Sequence, residues 1–312
     1  MKKLHINFSR DGITTVLMLV VLLTATTFLG LKNHLKVIPY TWLTAVTLNS
    51  QQTPPTNIAP DATNLISNGI FTYLFNSSGT LNEASSLLLS TSPYWWVNSG
   101  AKLTIDQGTG KTIQGNLPEN DKWRKAYAIA NPVDTDNGYH PQNIFRLVTK
   151  GKWHNFTQQA YFKVNMNHLS ASPNRSESNG LLLFDRYVDS QNLYYSGVRV
   201  DGTAVIKKKK GSIYYTLAQQ KVFPGTYDHD TSPNLIPKGQ WIGIKSEVKT
   251  TTDNKVSIKL YTDVGNTGVW KLVLSALDDG VNSQGIIDSN ANAGIRTDFM
   301  DIEFNDYTIK EL

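Results

Sequence analysis

The sequence predicts an all-β fold, a jelly-roll β-sandwich made of two packed antiparallel sheets. The first observation is the alternation of apolar and polar residues in segments 160–166, 242–248 and 256–261, which is typical of strands with one buried face. The second is segment 180–217, where short runs rich in Leu, Tyr, Val and Ile are separated by polar turns, as in a β-meander. The third is that no long amphipathic helix is predicted after residue 60.

One strand of this meander indicates which sheet face meets a ligand. Alternation places Tyr194 and Val198 on one face. Tyr195, Gly197 and Arg199 fall on the other. The first face suits a hydrophobic core, whereas the second offers an aromatic ring, a gap and a cation. We expect the second face to bind a sugar or an acidic ligand, the alternative being an ordinary solvated sheet face.

Composition excludes several classes of protein. The 312 residues contain no cysteine, which excludes disulfides, thiolate metal sites and cysteine nucleophiles. The net charge is +5, but residues 1–59 hold five Lys or Arg against one acid. The rest of the chain, with 25 basic and 24 acidic residues, therefore carries only +1. This balance argues against a nucleic-acid partner.

The N-terminal part predicts a membrane anchor. Ile13–Leu31 is a run of 19 residues without a charge, flanked on both sides by Lys and Arg, and it is long enough to span a bilayer. We expect an uncleaved signal anchor with residues 1–12 in the cytoplasm, the alternative being a cleaved signal peptide. Residues 32–63 then read as a linker with several prolines. Residues 64–312 would form the sandwich, outside the cytoplasm.

Two stretches carry a family resemblance: the meander and the closing segment Ala293–Leu312, AGIRTDFMDIEFNDYTIKEL. Together they resemble concanavalin A-like lectin/glucanase domains, particularly the group of 3-keto-disaccharide hydrolases and family-16-like domains. The resemblance covers residues 145–312 and rests mainly on strand pattern. It implies a jelly roll of two curved sheets whose concave face handles carbohydrate.

The ligand expected on that face is therefore a polysaccharide or glycan. Arginine offers a planar fork of donors to hydroxyls or a carboxylate, and tyrosine offers a ring to a sugar face. The candidate ligand-binding residues are Tyr195, Arg199, Arg186, Arg146 and Tyr215. The sequence favours a carbohydrate-binding, lectin-like domain, with a glycoside hydrolase or polysaccharide lyase on the same fold as the alternative.

The enzyme alternative rests on isolated residues. Family-16-like hydrolases need acids at alternate positions of one strand, and this chain offers Asp298, Asp301 and Glu303 in a spacing that departs from that motif. A lyase would combine an arginine such as Arg146 with a proton-transfer group such as His140. Neither set forms a recognisable catalytic motif, so the candidate catalytic residues stay unassigned.

A metal site is expected from three aspartates. Asp134, Asp136 and Gly138 follow the start of a calcium-binding loop, and Asp301 is a further acidic residue. Jelly-roll carbohydrate domains often hold a structural calcium, which these carboxylates would bind. The alternative is a turn stabilised by its own aspartates.

Two further clusters allow two interpretations each. Lys207–Lys210 reads first as a solvated edge strand and second as a contact for an acidic glycan. Tyr94–Trp96 reads first as part of the core and second as a sugar-stacking cluster.

Overall fold

The computed structural model of the protein describes residues 66–67 and 69–312. The predicted membrane segment 13–31 and linker 32–63 lie outside these residues, so both stay predictions. Within the described part, no helix has the length and apolar character needed to cross a membrane.

Short strands dominate the described residues. In chain order they are β1 (Ile66–Ser67), β2 (Ile70–Tyr73), β3 (Gly79–Asn82), β4 (Trp95–Ser99), β5 (Lys102–Asp106), β6 (Thr109–Lys111), β7 (Ile144–Trp153), β8 (Phe156–Asn167), β9 (Gly180–Asp189), β10 (Asn192–Arg199), β11 (Thr203–Lys210), β12 (Ile213–Lys221), β13 (Trp241–Thr250), β14 (Val256–Val264), β15 (Lys271–Asp278), β16 (Ala291–Asp298) and β17 (Met300–Glu311). One α-helix is described, α1 (Lys122–Ala130), with short 3-10 turns at Leu87–Leu89 and Pro141–Asn143. The helix begins where the Asp121 side chain accepts a hydrogen bond from the Trp123 amide at 2.7 Å.

The described strands form two antiparallel sheets. The ten-stranded sheet has the order β15-β14-β13-β8-β17-β6-β5-β3, with β2 also paired to β17 and β1 to β2. The seven-stranded sheet has the order β12-β11-β10-β9-β16-β7-β4. All pairings between these strands are antiparallel. The prediction of an all-β jelly-roll sandwich is confirmed.

The hydrophobic core lies between the two sheets. Trp95 and Tyr194 from the seven-stranded sheet are fully buried in one cluster with Phe162 and Phe304 from the ten-stranded sheet. The Trp95 ring meets the edge of the Tyr307 ring, with centroids 4.8 Å apart. This confirms the core interpretation of Trp95.

Strand β10 alternates as predicted. Tyr194 and Val198 belong to the core between the sheets. Tyr195 lies in a separate buried cluster with Leu182 and Phe184, whose members all come from the seven-stranded sheet. This second cluster therefore lies on the outer face of that sheet, turned away from the core.

The lysine run lies in β11, which has β10 and β12 on its two sides. The prediction of a solvated edge strand is therefore wrong. Lys208 is fully buried, and its Nζ atom lies 2.6 Å from Asp278 Oδ2 and 2.6 Å from Ser283 Oγ. Tyr194 donates its hydroxyl to the same Asp278 oxygen at 2.5 Å. A buried, hydrogen-bonded ion pair thus ties β11 to β15 of the other sheet.

A second buried acid lies in β9. The side chain of Asp185 is fully buried and accepts a hydrogen bond from Gln158 Nε2 at 3.1 Å. The Gln158 side-chain carbonyl in turn accepts from the Tyr307 hydroxyl at 2.8 Å. Burial raises the pKa of Asp185 to about 6, although Ser246 and Ser196 oppose the shift.

This raised pKa predicts how stability depends on pH. The folded state holds the Asp185 proton more tightly than the unfolded state does. The stabilisation that this proton gives to the folded state is therefore complete at low pH, and it is lost as pH rises through the folded pKa of about 6. At neutral pH the buried Asp185 charge therefore lowers the free energy of unfolding by at most roughly 3 kcal/mol. Asp185→Asn should keep the shape, remove this decline and raise the free energy of unfolding at neutral pH.

Urea unfolding at a series of pH values would measure the effect. The matched control is Thr80→Asn, which places the same amide at an exposed position of β3 without removing a charge; this variant should keep the wild-type pH profile. An Asp185→Asn profile with the wild-type slope between about pH 4 and 6 would contradict the assignment.

Candidate functional site

A groove crosses the outer face of the seven-stranded sheet. Its cavity of about 360 Å³ is lined by side chains from five strands, which supply the cations and tyrosines of the lining. These are Arg146 of β7, Tyr195 of β10, Lys207 of β11, Tyr214 of β12 and Arg296 of β16. A neighbouring cavity of about 110 Å³ shares Arg146, Tyr214 and Arg296 and adds Lys209. The two cavities form one groove lined by cations and tyrosines.

Strand alternation places these side chains on one face. Arg146 lies between Phe145 and Leu147, which both face the core, and Arg296 follows the core residue Ile295. A residue between two inward-facing neighbours points outward. The same pairing that builds the core therefore presents the groove.

Gly197 serves the sheet rather than a ligand. Its φ of +156° falls in a region that side-chain-bearing residues rarely adopt, and a Cβ atom here would lie 2.1 Å from the Leu181 backbone oxygen. The neighbouring strand β9 fills the space that the sequence suggested was left for a sugar. This expectation is corrected.

Arg296 is held beside a carboxylate. Its Nε atom lies 3.1 and 3.0 Å from the two oxygens of Asp298. Burial acts to lower the pKa of Arg296, but Asp298 and the hydroxyls of Tyr195 and Tyr214 outweigh it, so the pKa is raised. Arg296 is therefore a permanent cation, and its Nε side is paired with Asp298.

Arg146 is less well compensated. It pairs directly with Arg296 across β7 and β16, and its hydrogen bond is to a neutral group, Ser99 Oγ, at 3.3 Å. Burial and the Arg296 charge lower its pKa. Lys207 shares this situation, because burial and the nearby cation Arg199 lower its pKa.

Two tyrosines form the aromatic part of the groove. Tyr195 is only 5% exposed, and burial raises its pKa to about 12, so it stays neutral. Tyr214 is 51% exposed and meets Tyr195 edge to face, with centroids 6.4 Å apart. Tyr214 is thus the ring that a ligand can reach most easily, and Tyr195 supports it.

The structure brings two of the five predicted ligand residues into the groove, Tyr195 and Arg146. Arg199 projects from the same strand face as Tyr195, but it donates to the Glu177 carbonyl at 2.9 Å and pairs with Asp201 at 2.9 Å. It is not among the residues that line either cavity. The Glu177 carbonyl and the Asp201 carboxylate bind its donors instead.

The other two predicted residues lie on the inner side of the sheet. Arg186 is fully buried and donates to the backbone oxygens of His154 and Ile287, at 2.9 and 2.7 Å. Tyr215 packs beside the buried Lys208, whose Nζ lies 5.7 Å from its ring centroid. Both residues stabilise the sandwich, and neither lines the groove.

Sequence reasoning missed Arg296 and Tyr214, and it gave Lys207 a glycan contact only as the second interpretation of the lysine run. Alternation from the core residue Ile295 could have placed Arg296 outward. The choice between Tyr214 and Tyr215 was harder, because the register of β11 and β12 shifts between Ile206 and Lys207. A bulge of this kind changes which residues share a face.

The three predicted metal ligands hydrogen-bond to protein groups. Asp134 Oδ1 accepts from Ser172 and Asn174 at 2.6 and 2.9 Å, and Asp136 Oδ2 lies 2.7 Å from His140 Nδ1. Asp134 also lines the groove. Burial acts to raise its pKa, but these donors lower it.

Asp301 is engaged in the same way. Its Oδ1 lies 2.8 Å from His168 Nε2 and 2.9 Å from Gln142 Nε2, and its Oδ2 accepts from the Gly115 amide at 2.7 Å. Glu303 pairs with Lys163 at 2.6 Å in the ten-stranded sheet, away from the groove. Among the described residues, no group of three or more acids, histidines or cysteines is arranged to hold a metal ion.

Solved structures with a similar course of the chain include three bacterial examples. A carbohydrate-binding module, CBM66, from Bacillus subtilis is 14% identical with a TM-score of 0.42, covering 70% of this chain and 95% of the module. A Bacillus subtilis protein of unknown function with a galectin-like fold is 11% identical with a TM-score of 0.39, covering 75% and 97%. The β-glucanase of Bacillus licheniformis is 9% identical with a TM-score of 0.40, covering 79% and 100%.

No family model and no curated protein matches the chain. The two antiparallel sheets themselves give the chain the architecture that the resemblance to concanavalin A-like domains implied.

The aspartate contacts predict the response to metal removal. Because protein donors already bind the Asp134, Asp136 and Asp301 carboxylates, chelation should leave the unfolding temperature unchanged. Scanning calorimetry with EDTA, and with calcium added back, would measure this. A temperature that falls with EDTA and returns with calcium would instead establish a structural metal.

Proposed function

We propose that this protein is a membrane-anchored, extracytoplasmic carbohydrate-binding domain whose ligand occupies the groove on the seven-stranded sheet. The observation that carries the proposal is the joint presence of a reachable tyrosine ring and arginine donors in one cavity of about 360 Å³. Sugar rings offer apolar C–H faces and many hydroxyls. Aromatic faces and planar guanidinium donors complement these two features.

The geometry favours a binding site held ready rather than one formed on binding. The cationic and aromatic lining side chains come from strands, and Arg296 is fixed by Asp298. Groups fixed before binding lose little conformational entropy when a ligand arrives. Tyr214, at 51% exposure, is the principal stacking ring.

Catalysis in the same groove is the second candidate. Asp134 and Asp298 supply carboxylates to its lining, and such groups serve as acid or base in glycoside hydrolysis. Asp298, however, is bound to Arg296, and Asp134 accepts hydrogen bonds from Ser172 and Asn174. We therefore favour binding. Turnover of a bound oligosaccharide would establish the hydrolase or lyase alternative.

We propose that carbohydrate binding does not require calcium, since protein donors already hold the three aspartates that were expected to bind the ion. Membrane anchoring rests on the uncharged run Ile13–Leu31 and its basic flanks. In this arrangement the linker 32–63 holds the sandwich away from the membrane surface.

The position of the groove predicts that alanine variants of two adjacent tyrosines differ in their affinity for the ligand. A glycan array would first identify the oligosaccharide with the strongest signal. Tyr214→Ala should then weaken binding of that oligosaccharide by about 1 kcal/mol, roughly fivefold, because the stacking ring is lost. The matched control is Tyr215→Ala, which removes the next ring from the opposite face and should leave affinity unchanged in a folded protein.

Isothermal titration would measure both affinities, with the unfolding temperature of each variant as the folding check. Equal affinity in wild type and Tyr214→Ala, or a loss confined to Tyr215→Ala, would place the ligand elsewhere.

The proposed location can be tested on cells that produce the full chain. Protease added to intact cells should remove the domain of residues 64–312 and spare a cytoplasmic marker, because the anchor leaves the domain outside. Immunoblotting would detect both. Protection of the domain until the cells are lysed would contradict the location, and a mature N-terminus beyond residue 31 would show that the anchor is cleaved.

A further inference from the structure

The groove holds two arginines in a position that ordinarily destabilises a sheet. Arg146 and Arg296 are direct partners in the pairing of β7 with β16. Directly opposed residues of an antiparallel pair have Cβ atoms roughly 4.5–5.5 Å apart, and like charges there oppose the pairing. The effect is visible on Arg146, whose pKa is lowered by burial and then by Arg296. Asp298 offsets this repulsion only in part, because it acts to raise the pKa of Arg146 and the pKa is still lowered.

Nearby groups leave part of the positive charge uncompensated. Lys207 adds a third cation and Lys209 a fourth, whereas the acids in the described lining are Asp298 and Asp134. Asp298 binds Arg296 through Nε. The terminal guanidinium nitrogens of Arg296 have no hydrogen-bond partner among the described residues. Donors and charge are therefore available in the groove.

The aromatic groups restrict which anion fits. The exposed Tyr214 ring has Lys209 Nζ 5.0 Å and Lys207 Nζ 5.6 Å from its centroid. Both ammonium groups lie over the ring, so a ligand that reaches Tyr214 also meets these cations. Such a ligand needs an apolar face and a negative group on the same ring or on adjacent ones.

We propose that the ligand is an acidic saccharide whose carboxylate is received by Arg146 and Arg296, with Lys207 beside them. A uronic acid residue combines the apolar ring face and the planar carboxylate that these side chains complement, and a guanidinium fork matches a carboxylate with two parallel hydrogen bonds. This inference rests on the proposed carbohydrate-binding function and specifies its ligand class. It also accounts for the repulsion between the arginines, which a bound anion relieves.

The test compares one polymer with and without its charge. The full-length chain is titrated with polygalacturonate and with the same preparation after reduction of its carboxylates to hydroxymethyl groups. Loss of charge-assisted hydrogen bonds should weaken binding roughly tenfold to a hundredfold. Dextran sulfate and a single-stranded oligodeoxynucleotide serve as anions of other classes, and both should bind more weakly than polygalacturonate.

Variants test whether the groove residues cause the preference for the charged polymer. Arg146→Gln should lower the ratio of the affinity for the charged polymer to that for the reduced polymer, because the reduced polymer loses a hydroxyl contact whereas the charged one loses a charge-assisted hydrogen bond. Arg199→Gln is the matched control, because Asp201 and the Glu177 carbonyl hold Arg199 outside the lining, and it should keep the preference. Lys207→Gln is a second groove variant if Arg146→Gln fails to fold, and it should reduce the preference in the same direction.

The outcomes distinguish failure of the acidic-ligand proposal from failure of the proposed carbohydrate-binding function. Equal binding of native and reduced polymer would overturn the acidic ligand while leaving carbohydrate binding in place. Absence of binding to any saccharide, on an array as well as in these titrations, would overturn the proposed function itself. Tighter binding of dextran sulfate or of the oligodeoxynucleotide would overturn the carboxylate assignment, as would loss of the preference in Arg199→Gln but not in the groove variants.

Discussion

The buried ion pair between Lys208 and Asp278 is the constraint on which the arrangement of the groove depends. Burial acts to raise the pKa of Asp278, but the donors Lys208, Tyr194 and Ser283 lower it, so the carboxylate is charged inside the sandwich. Removing one partner of such a pair costs about 3–5 kcal/mol, because the other charge is left buried alone. The pair therefore fixes Lys208 inward, and strand alternation then turns Lys207 outward into the groove.

The same framework explains how the sheet tolerates crowded cations. Arg146 and Arg296 repel each other, but each is flanked along its strand by core residues such as Leu147 and Ile295 that are fully buried. Burying one such side chain contributes about 1.5–3 kcal/mol, which exceeds the roughly 0.2–1 kcal/mol typical of a cross-strand pair. Core packing thus outweighs the repulsion and holds the cations ready for an anion.

Period-two patterning predicted the sandwich, and it predicted the outward face of β10 with Tyr195. It could not predict which arginines are available, because that depends on partners distant in sequence. Arg186 finds the carbonyls of His154 and Ile287, which only the folded sheets bring near. Tyr214 was missed because the bulge beside Lys207 changes the face count in the adjoining strand. Pattern determines the faces within a strand, whereas tertiary contacts decide how each side chain is used.

Arg199 and Arg296 show how that use is decided. Both project from the outer face of the seven-stranded sheet, and both have an aspartate two residues further along the chain, Asp201 and Asp298. Arg199 gives its Nε to the Glu177 carbonyl and a terminal nitrogen to Asp201, so its donor fork is occupied. Arg296 gives its Nε to Asp298, which orients the guanidinium and leaves the fork toward the groove. Asp201 therefore occupies the terminal donors of Arg199, whereas Asp298 orients Arg296 through its Nε side. The two outcomes differ because a guanidinium has donors on two sides.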